Sequence, residues 1–287
     1  RTPYRRLGGF SEREAELEVS PLPMPAAKPP HTLRPGAPFT FGVDIGGTFL
    51  KAAVLNAAGE VVAERVKMPT PKPATANAVI GAITALAAQF PMFDRMSVGF
   101  PGVVRGGTVV TAPNLGTQHW AGFQFIDAMA EKFGVPVRLL NDAAVQGLGV
   151  VEGEGLECVI TLGTGVGCAL FRKRRLLLHL EFGQLRSDRE TYDQFIGQAA
   201  LDAVGVQIWN ERVRNSIETI VELTNCDTLY VGGGNARKIA FELPPQARIV
   251  ANAAGVTGGV RLWEPEMDEF FAGDSNAQRP PAEGGTL

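Results

Sequence analysis

Between residues 39 and 265 short apolar runs alternate with longer stretches whose apolar residues recur at helical spacing. "FTFGVDI" and "LKAAVLNA" read as paired strands joined by a Gly-Gly-Thr turn, and "AGEVVAERVKMPT" supplies a third strand after the Ala58-Gly59 turn. "ATANAVIGAITALAAQF" predicts a helix stopped by Pro91. "MSVGFPGVV" and "PVRLLNDAA" read as buried strands with glycine or polar tips, "FQFIDAMAEKFG" as a helix ending at Gly134, and "DAAVQGLGVVEG" as another helix. "ECVITLGTGVGCALF" then opens a second series of strand, glycine turn and strand. "DQFIGQAALDAVGVQIWNERVRNSIETIVEL" is helical, "DTLYVGGG" is a strand ending in three glycines, "ARIVANAAG" follows, and "GVTGGVRLWE" closes the fold. Such alternation predicts an α/β protein with helices layered on sheets.

The flanks look different. Residues 1–38 mix charge with proline and carry no sustained apolar period, which predicts an extended or disordered arm with at most a short helix at "SEREAELEV". Residues 266–287 read as a tail, frayed from Gly273 onward. Between the flanks the expected division is one lobe over 39–148 and a second over 149–265, with the last helix packing back on the first lobe.

Composition narrows the function. A chain of 287 residues that is 45% hydrophobic can bury two modest cores, and a net charge of −3 argues against nucleic acid or an anionic membrane as partner. Cys158, Cys168 and Cys226 are odd in number, show no CxxC pairing and sit in or beside apolar runs, so they read as reduced thiols of a cytoplasmic protein. No apolar run is long enough to span a bilayer, and the first residues lack the order of a signal peptide.

The candidate chemistry sits at strand ends. In "FGVDIGGTFLK" an acid, Asp44, precedes Gly46, Gly47 and Thr48. Bare backbone N–H groups there can approach a phosphate, Thr48 can donate a hydroxyl, and Asp44 can attract a hydrated Mg²⁺. The alternative is a hairpin that needs positive φ at a glycine. "LGTGVG" sets Gly163, Thr164, Gly165 and Gly167 in a G-x-G-x-G turn between two strands, which argues against a Rossmann pyrophosphate site, is not a Walker loop, and reads equally as a structural or a functional turn. Gly232, Gly233 and Gly234 can border a flat ring or ribose, or simply make a tight turn. "LLNDAA" ends a buried strand with Asn141 and Asp142; a carboxylate there either accepts a proton from a substrate hydroxyl or belongs to a helix cap. Asn114 and Glu181 lie in glycine-rich segments suited to binding hydroxyls or to ordinary loops. "FRKRR" reads either as a polyanion site or as a solvated turn. His31, His119 and His179 are isolated, and Trp120 and Phe123 read as core beside the alternative of a sugar wall.

"VDIGGTFLK", "GFPGVVRGGTVVTAPNLG", "LLNDAAVQGLG", "TLGTGVGCALF", "LEFGQ" and "YVGGGN" stand in the order found in ROK-family sugar kinases, which the chain resembles over roughly Phe41 to Val260. Within that family "KMPTPKPAT" resembles the bacterial polyphosphate glucokinases. The resemblance implies two ribonuclease-H-like lobes of the actin-like ATPase type, with sugar and nucleotide meeting in a central cleft. It implies phosphate or nucleotide contacts for Asp44, Gly46, Gly47, Thr48, Lys51, Gly163, Thr164, Gly165, Gly167, Gly232, Gly233 and Gly234, with Asp44 near Mg²⁺ through water. It implies sugar contacts for Asn114, Asn141, Glu181, Gln184 and Glu190, and makes Asp142 the general base toward a hexose hydroxyl, with ATP or polyphosphate as donor. A homodimer is the implied assembly. The family's "ExGH" is here Glu181-Phe182-Gly183-Gln184, and its cysteine-rich zinc loop is absent, so no zinc site is expected. Gln184 and a short stretch from Glu181 to Thr228 motivate the alternative of a catalytically weak sugar-binding or regulatory protein.

Overall fold

The computed structural model describes residues 37–187, 189–250 and 254–273. The "SEREAELEV" helix, the arm up to residue 36 and the tail from residue 274 lie outside the described residues.

Two five-stranded sheets are built in the same way. In the first, β1 (Thr40–Ile45), β2 (Phe49–Leu55) and β3 (Val66–Pro69) form an antiparallel meander, and α1 (Ala76–Ala87) leads to β4 (Arg95–Phe100). A small hairpin, β5 (Val104–Arg105) and β6 (Thr108–Val109), precedes α2 (Phe125–Phe133), β7 (Val137–Asn141) and α3 (Asp142–Leu148). The sheet order is β3-β2-β1-β4-β7, with β4 and β7 parallel to β1. The second sheet has β8 (Leu156–Leu162), β9 (Val166–Arg172) and β10 (Arg175–Leu180), then a two-stranded ribbon, β11 (Arg186–Ser187) and β12 (Glu190–Thr191). Helices α4 (Tyr192–Ile196) and α5 (Gln198–Thr224) lead to β13 (Thr228–Gly232) and β14 (Ala247–Ile249). Its order, β10-β9-β8-β13-β14, repeats the first sheet strand for strand and sense for sense. This is the doubled topology that two ribonuclease-H-like halves require.

Local chemistry explains the boundaries. Central β1 is buried on both faces, which is why it reads as a mostly apolar run with Asp44 near its end. Thr75 caps α1 by accepting the Ala78 N–H at 3.3 Å, and Gly134 ends α2 in the left-handed region at φ 62°. The long helical stretch read from Asp193 to Leu223 is interrupted at Gly197 and again at Gly205, whose φ of 77° is non-helical. Its last part buries Trp209, Val213, Ile217 and Ile220 on one face against the second sheet. Full burial of each such side chain contributes roughly 1.5–3 kcal/mol.

Helix α3 joins the two sheets. Ala144, Val145 and Leu148 share one core with Val159, Ala169 and Phe171 of the second sheet and with Leu262, Met267 and Phe271 near the C-terminus. The last two belong to α7 (Pro265–Gly273), which follows the short α6 (Ala254–Thr257). The packed chain therefore runs past residue 265, where the tail was expected to begin, because Met267 and Phe271 are one helical turn apart and both buried. Arg138 of β7 reinforces this docking, donating to the Leu262 carbonyl and, at 2.7 Å, to Asp268. The three cysteines are free and buried. No helix among the described residues is long and apolar enough to cross a membrane.

Candidate active site

Strand ends from both sheets line one open cleft of about 600 Å³, within the range of small-molecule sites. At its first wall the β1–β2 turn closes through Gly46 N–H donating to the Phe49 carbonyl at 3.0 Å. Neither Gly46 nor Gly47 has positive φ, so the hairpin alternative does not account for them. Space does: a Cβ on Gly46 would lie 2.8 Å from the Phe49 oxygen, and one on Gly47 would crowd Asn114 and Thr164 at 3.3–3.4 Å. Opposite stands the β8–β9 turn, where Gly163 N–H donates to the Gly165 carbonyl and the Gly163 carbonyl accepts the Gln198 N–H, each at 3.0 Å. The two turns meet at the hydroxyls of Thr48 and Thr164, 3.3 Å apart. In the third cluster Gly233 does need its freedom, at φ 86° with its α-carbon pressed on Leu162, whereas Gly234 faces open space.

Asp142 occupies the floor as the first residue of α3. Asn141 is that helix's N-cap, its Oδ1 accepting from Ala143 and Ala144 at 2.9 and 3.3 Å while Nδ2 donates to the carbonyls of Phe100 and Gly102. Its amide is thus committed to the protein, although it lines the cleft. Among the described residues the Asp142 carboxylate accepts a backbone N–H, from Ala143 at 2.8 Å. Burial, then the neighbouring Asp44 and more weakly Glu181, push its pKa up to about 7, against the lowering pull of the Ala143 N–H and of Lys51. Lys51 bonds Asp44 at 2.9 Å across β1 and β2, where the two are direct register partners.

Of the residues expected in the site, Asp44, Gly46, Gly47, Thr48, Lys51, Asn114, Asn141, Asp142, Gly163, Thr164, Gly165, Gly167, Glu181, Gln184, Gly233 and Gly234 all line this one cleft. Two do not. Gly232 ends β13 behind the wall, where a Cβ would run into the Gln146 amide. Glu190 is half-exposed on the β11–β12 ribbon, 3.9 Å from Arg212 and outside the cleft lining. The carboxylate that does enter is Asp193, three residues on, which sequence reading passed over as part of a long helix. Its Oδ1 accepts the Val166 N–H at 2.7 Å and its Oδ2 the Gln184 amide at 2.9 Å, so it fastens the second glycine turn to the Glu181–Gln184 segment. Burial raises its pKa, and Glu181 adds to that. The "TYDQ" capping pattern at Thr191 was the available signal, since it starts a new helix there.

The remaining candidates fall as follows. The Arg172–Arg175 cluster forms the β9–β10 turn, with Lys173 and Arg174 at positive φ, and none of it lines the cleft; Lys51, Lys67, Arg237 and Lys238 are the cations that do. His179, read as isolated, bonds Glu181 at 2.8 Å. Trp120 is core, packed among Phe100, Phe123 and Phe125 with its indole N–H on the Ala74 carbonyl at 2.8 Å. Among the described residues no three acidic, His or Cys side chains form a cage, and Asp44 is a single carboxylate beside two glycine turns, a donor set that fits an ion keeping most of its water, such as Mg²⁺.

Comparison with known proteins gives a consistent relationship. The family model described as ROK family matches residues 40–178. A polyphosphate glucokinase of Mycobacterium leprae (strain TN) is 31% identical over 237 residues, spanning 76% of this chain and 72% of its own length. One from Mycobacterium tuberculosis (strain ATCC 25618 / H37Rv) is 29% identical over 238 residues, spanning 76% of this chain and 88% of its own. Among solved structures, the inorganic polyphosphate/ATP-glucomannokinase of Arthrobacter sp. strain KM superposes with a TM-score of 0.72 at 27% identity, covering 78% of this chain and 98% of that one.

Proposed function

The chain belongs to the ROK family, and from that premise we propose that it is a sugar kinase transferring a phosphoryl group from ATP or polyphosphate to a hexose, at the 6-hydroxyl of glucose. The observation that carries this reading is Asp142: a carboxylate with a pKa near neutrality, at a helix start, in the same cleft as two facing glycine turns. The relatives named as glucokinases and as a polyphosphate/ATP-glucomannokinase support both the acceptor and the two donors.

In the proposed reaction Asp142 accepts the proton of the hexose hydroxyl as that oxygen forms its bond to the terminal phosphorus of the donor. The bond from that phosphorus to the bridging oxygen breaks, leaving ADP or a polyphosphate one unit shorter. Asn141 holds the start of α3, and so aims Asp142, through its two cap bonds. Asn114, Glu181 and Gln184 offer acceptors and donors to sugar hydroxyls, with Asp193 as the second carboxylate in the place first given to Glu190. The backbone of Gly46–Thr48 and Gly163–Gly167 receives the phosphate chain, with Lys51 as a nearby positive charge. Asp44 would hold a donor-borne Mg²⁺ through water, and that ion when bound neutralises developing phosphate charge. Transfer of this kind depends mostly on alignment and charge neutralisation, which suits a site with few reactive side chains. A lobe boundary near residue 148, a cytoplasmic location and a homodimer belong to the same proposal.

A coupled assay of the purified protein with a panel of hexoses against ATP and polyphosphate tests it. Phosphorylation of glucose by either donor is the expected result. Stabilisation by a hexose with no turnover on either donor would replace it with the sugar-binding alternative.

A further inference from the structure

Gln146 is a buried polar side chain of the cleft that nothing above employs. It follows Asp142 by four residues on α3, so the two project from one face of the helix a turn apart. The residue is 5% exposed and lines the cleft with Thr161, Gly167 and Gly233. Its Nε2 is buried and meets no acceptor; among the described residues only Arg261 Nη1 shares that condition. Gly232 leaves room for it in this position, since a Cβ there would meet Nε2 at 2.3 Å and make the side chain move. A buried amide N–H without a partner weakens the folded state, and turning it out of that position into the cleft that this side chain lines breaks no hydrogen bond of its own.

We propose that Gln146 is a phosphate-binding residue whose amide N–H donates to a phosphate oxygen of the phosphoryl donor. The inference rests on the kinase reading, which assigns the phosphate chain to the glycine turns that flank this side chain. Phosphate oxygens accept and never donate, and an uncharged amide complements them without an ion-pair partner. A half-turn about the last torsion exchanges Nε2 and Oε1 in place, so the N–H can swing toward the cleft when a phosphate arrives. A bond of this kind to a charged acceptor is worth about tenfold or more in affinity.

The test is calorimetric titration of the full chain, with Mg²⁺, using tripolyphosphate in one arm and a non-hydrolysable ATP analogue in the other. Wild type, Gln146→Met and Gln146→Glu are compared, and thermal unfolding is recorded without ligand. The expectation for Gln146→Met is an affinity about tenfold lower in at least one arm with an unfolding temperature equal to or above wild type, since the unpartnered amide is gone. Gln146→Glu places a negative charge beside phosphate and should bind more weakly still. The affected arm identifies the source of the phosphate. Wild-type affinity of both variants in both arms would overturn the proposal, as would a lower unfolding temperature in Gln146→Met, which would make Gln146 structural. A wild type that binds neither ligand would instead remove the kinase reading beneath it.

Discussion

Asp44 and Lys51 are register partners on neighbouring strands, joined at 2.9 Å, and they act on Asp142 with opposite sign: the carboxylate raises its pKa and the ammonium lowers it. A general base works only when deprotonated, so kcat/KM for the sugar should fall about tenfold per pH unit below about 7. Lys51→Met should move that acid limb to higher pH and Asp44→Asn to lower pH, whatever each does to the plateau. Limbs that stay in place in both variants would detach the pH profile from this triad.

The same raised pKa fixes a stability prediction. A folded-state pKa of about 7 against the ordinary 3.8 means that the folded protein holds a proton which the unfolded chain releases. The folded state therefore loses stability as pH rises from about 4 to about 7, and the deficit is constant above that. Asp142→Asn removes a deficit of roughly 2–4 kcal/mol. Thermal unfolding should show this variant more stable than wild type at pH 8 and no more stable at pH 4.

Glycines separate fold from ligand. Gly163 and Gly234 face open space at unstrained φ, so Gly163→Ala and Gly234→Ala should leave the unfolding temperature within about 2 °C of wild type while raising the donor KM several-fold. Gly233→Ala, at φ 86° against Leu162, should lose about 1–3 kcal/mol of stability or more. Equal loss of stability in all three would make these turns purely structural.

The corrected second carboxylate can be checked directly. Asp193→Ala frees the Val166 N–H and the Gln184 amide together, so sugar kcat/KM should fall about a hundredfold. Glu190→Ala, half-exposed and outside the cleft, should stay within about twofold of wild type. The opposite ranking in steady-state kinetics would restore Glu190 to the sugar site.

What the sequence disclosed, and what it withheld, follows from the range of the interactions involved. Central strands buried on both faces announce themselves as apolar runs, and Asn141 at the end of such a run was legible as a cap. The break at Gly205 was hidden, because apolar spacing continues across it and only the backbone angle changes. Helix α7 was missed for want of signal: Met267 and Phe271 are two buried anchors in an acidic stretch. Every glycine turn was visible, but its cause was not, since the atoms crowding Gly46 and Gly47 belong to Phe49, Asn114 and Thr164. Asp193 reaches Val166 across 27 positions, so that contact could not be counted from spacing in a presumed helix.

The measurement that bears most directly on the account is the turnover of Asp142→Asn with glucose and either donor, taken together with its affinity for glucose. The side chain keeps its size and can still accept the Ala143 N–H, so glucose should bind within about threefold of wild type while kcat falls by about a thousandfold or more. A kcat close to wild type, with glucose bound as before, would contradict the assignment of Asp142 as the base.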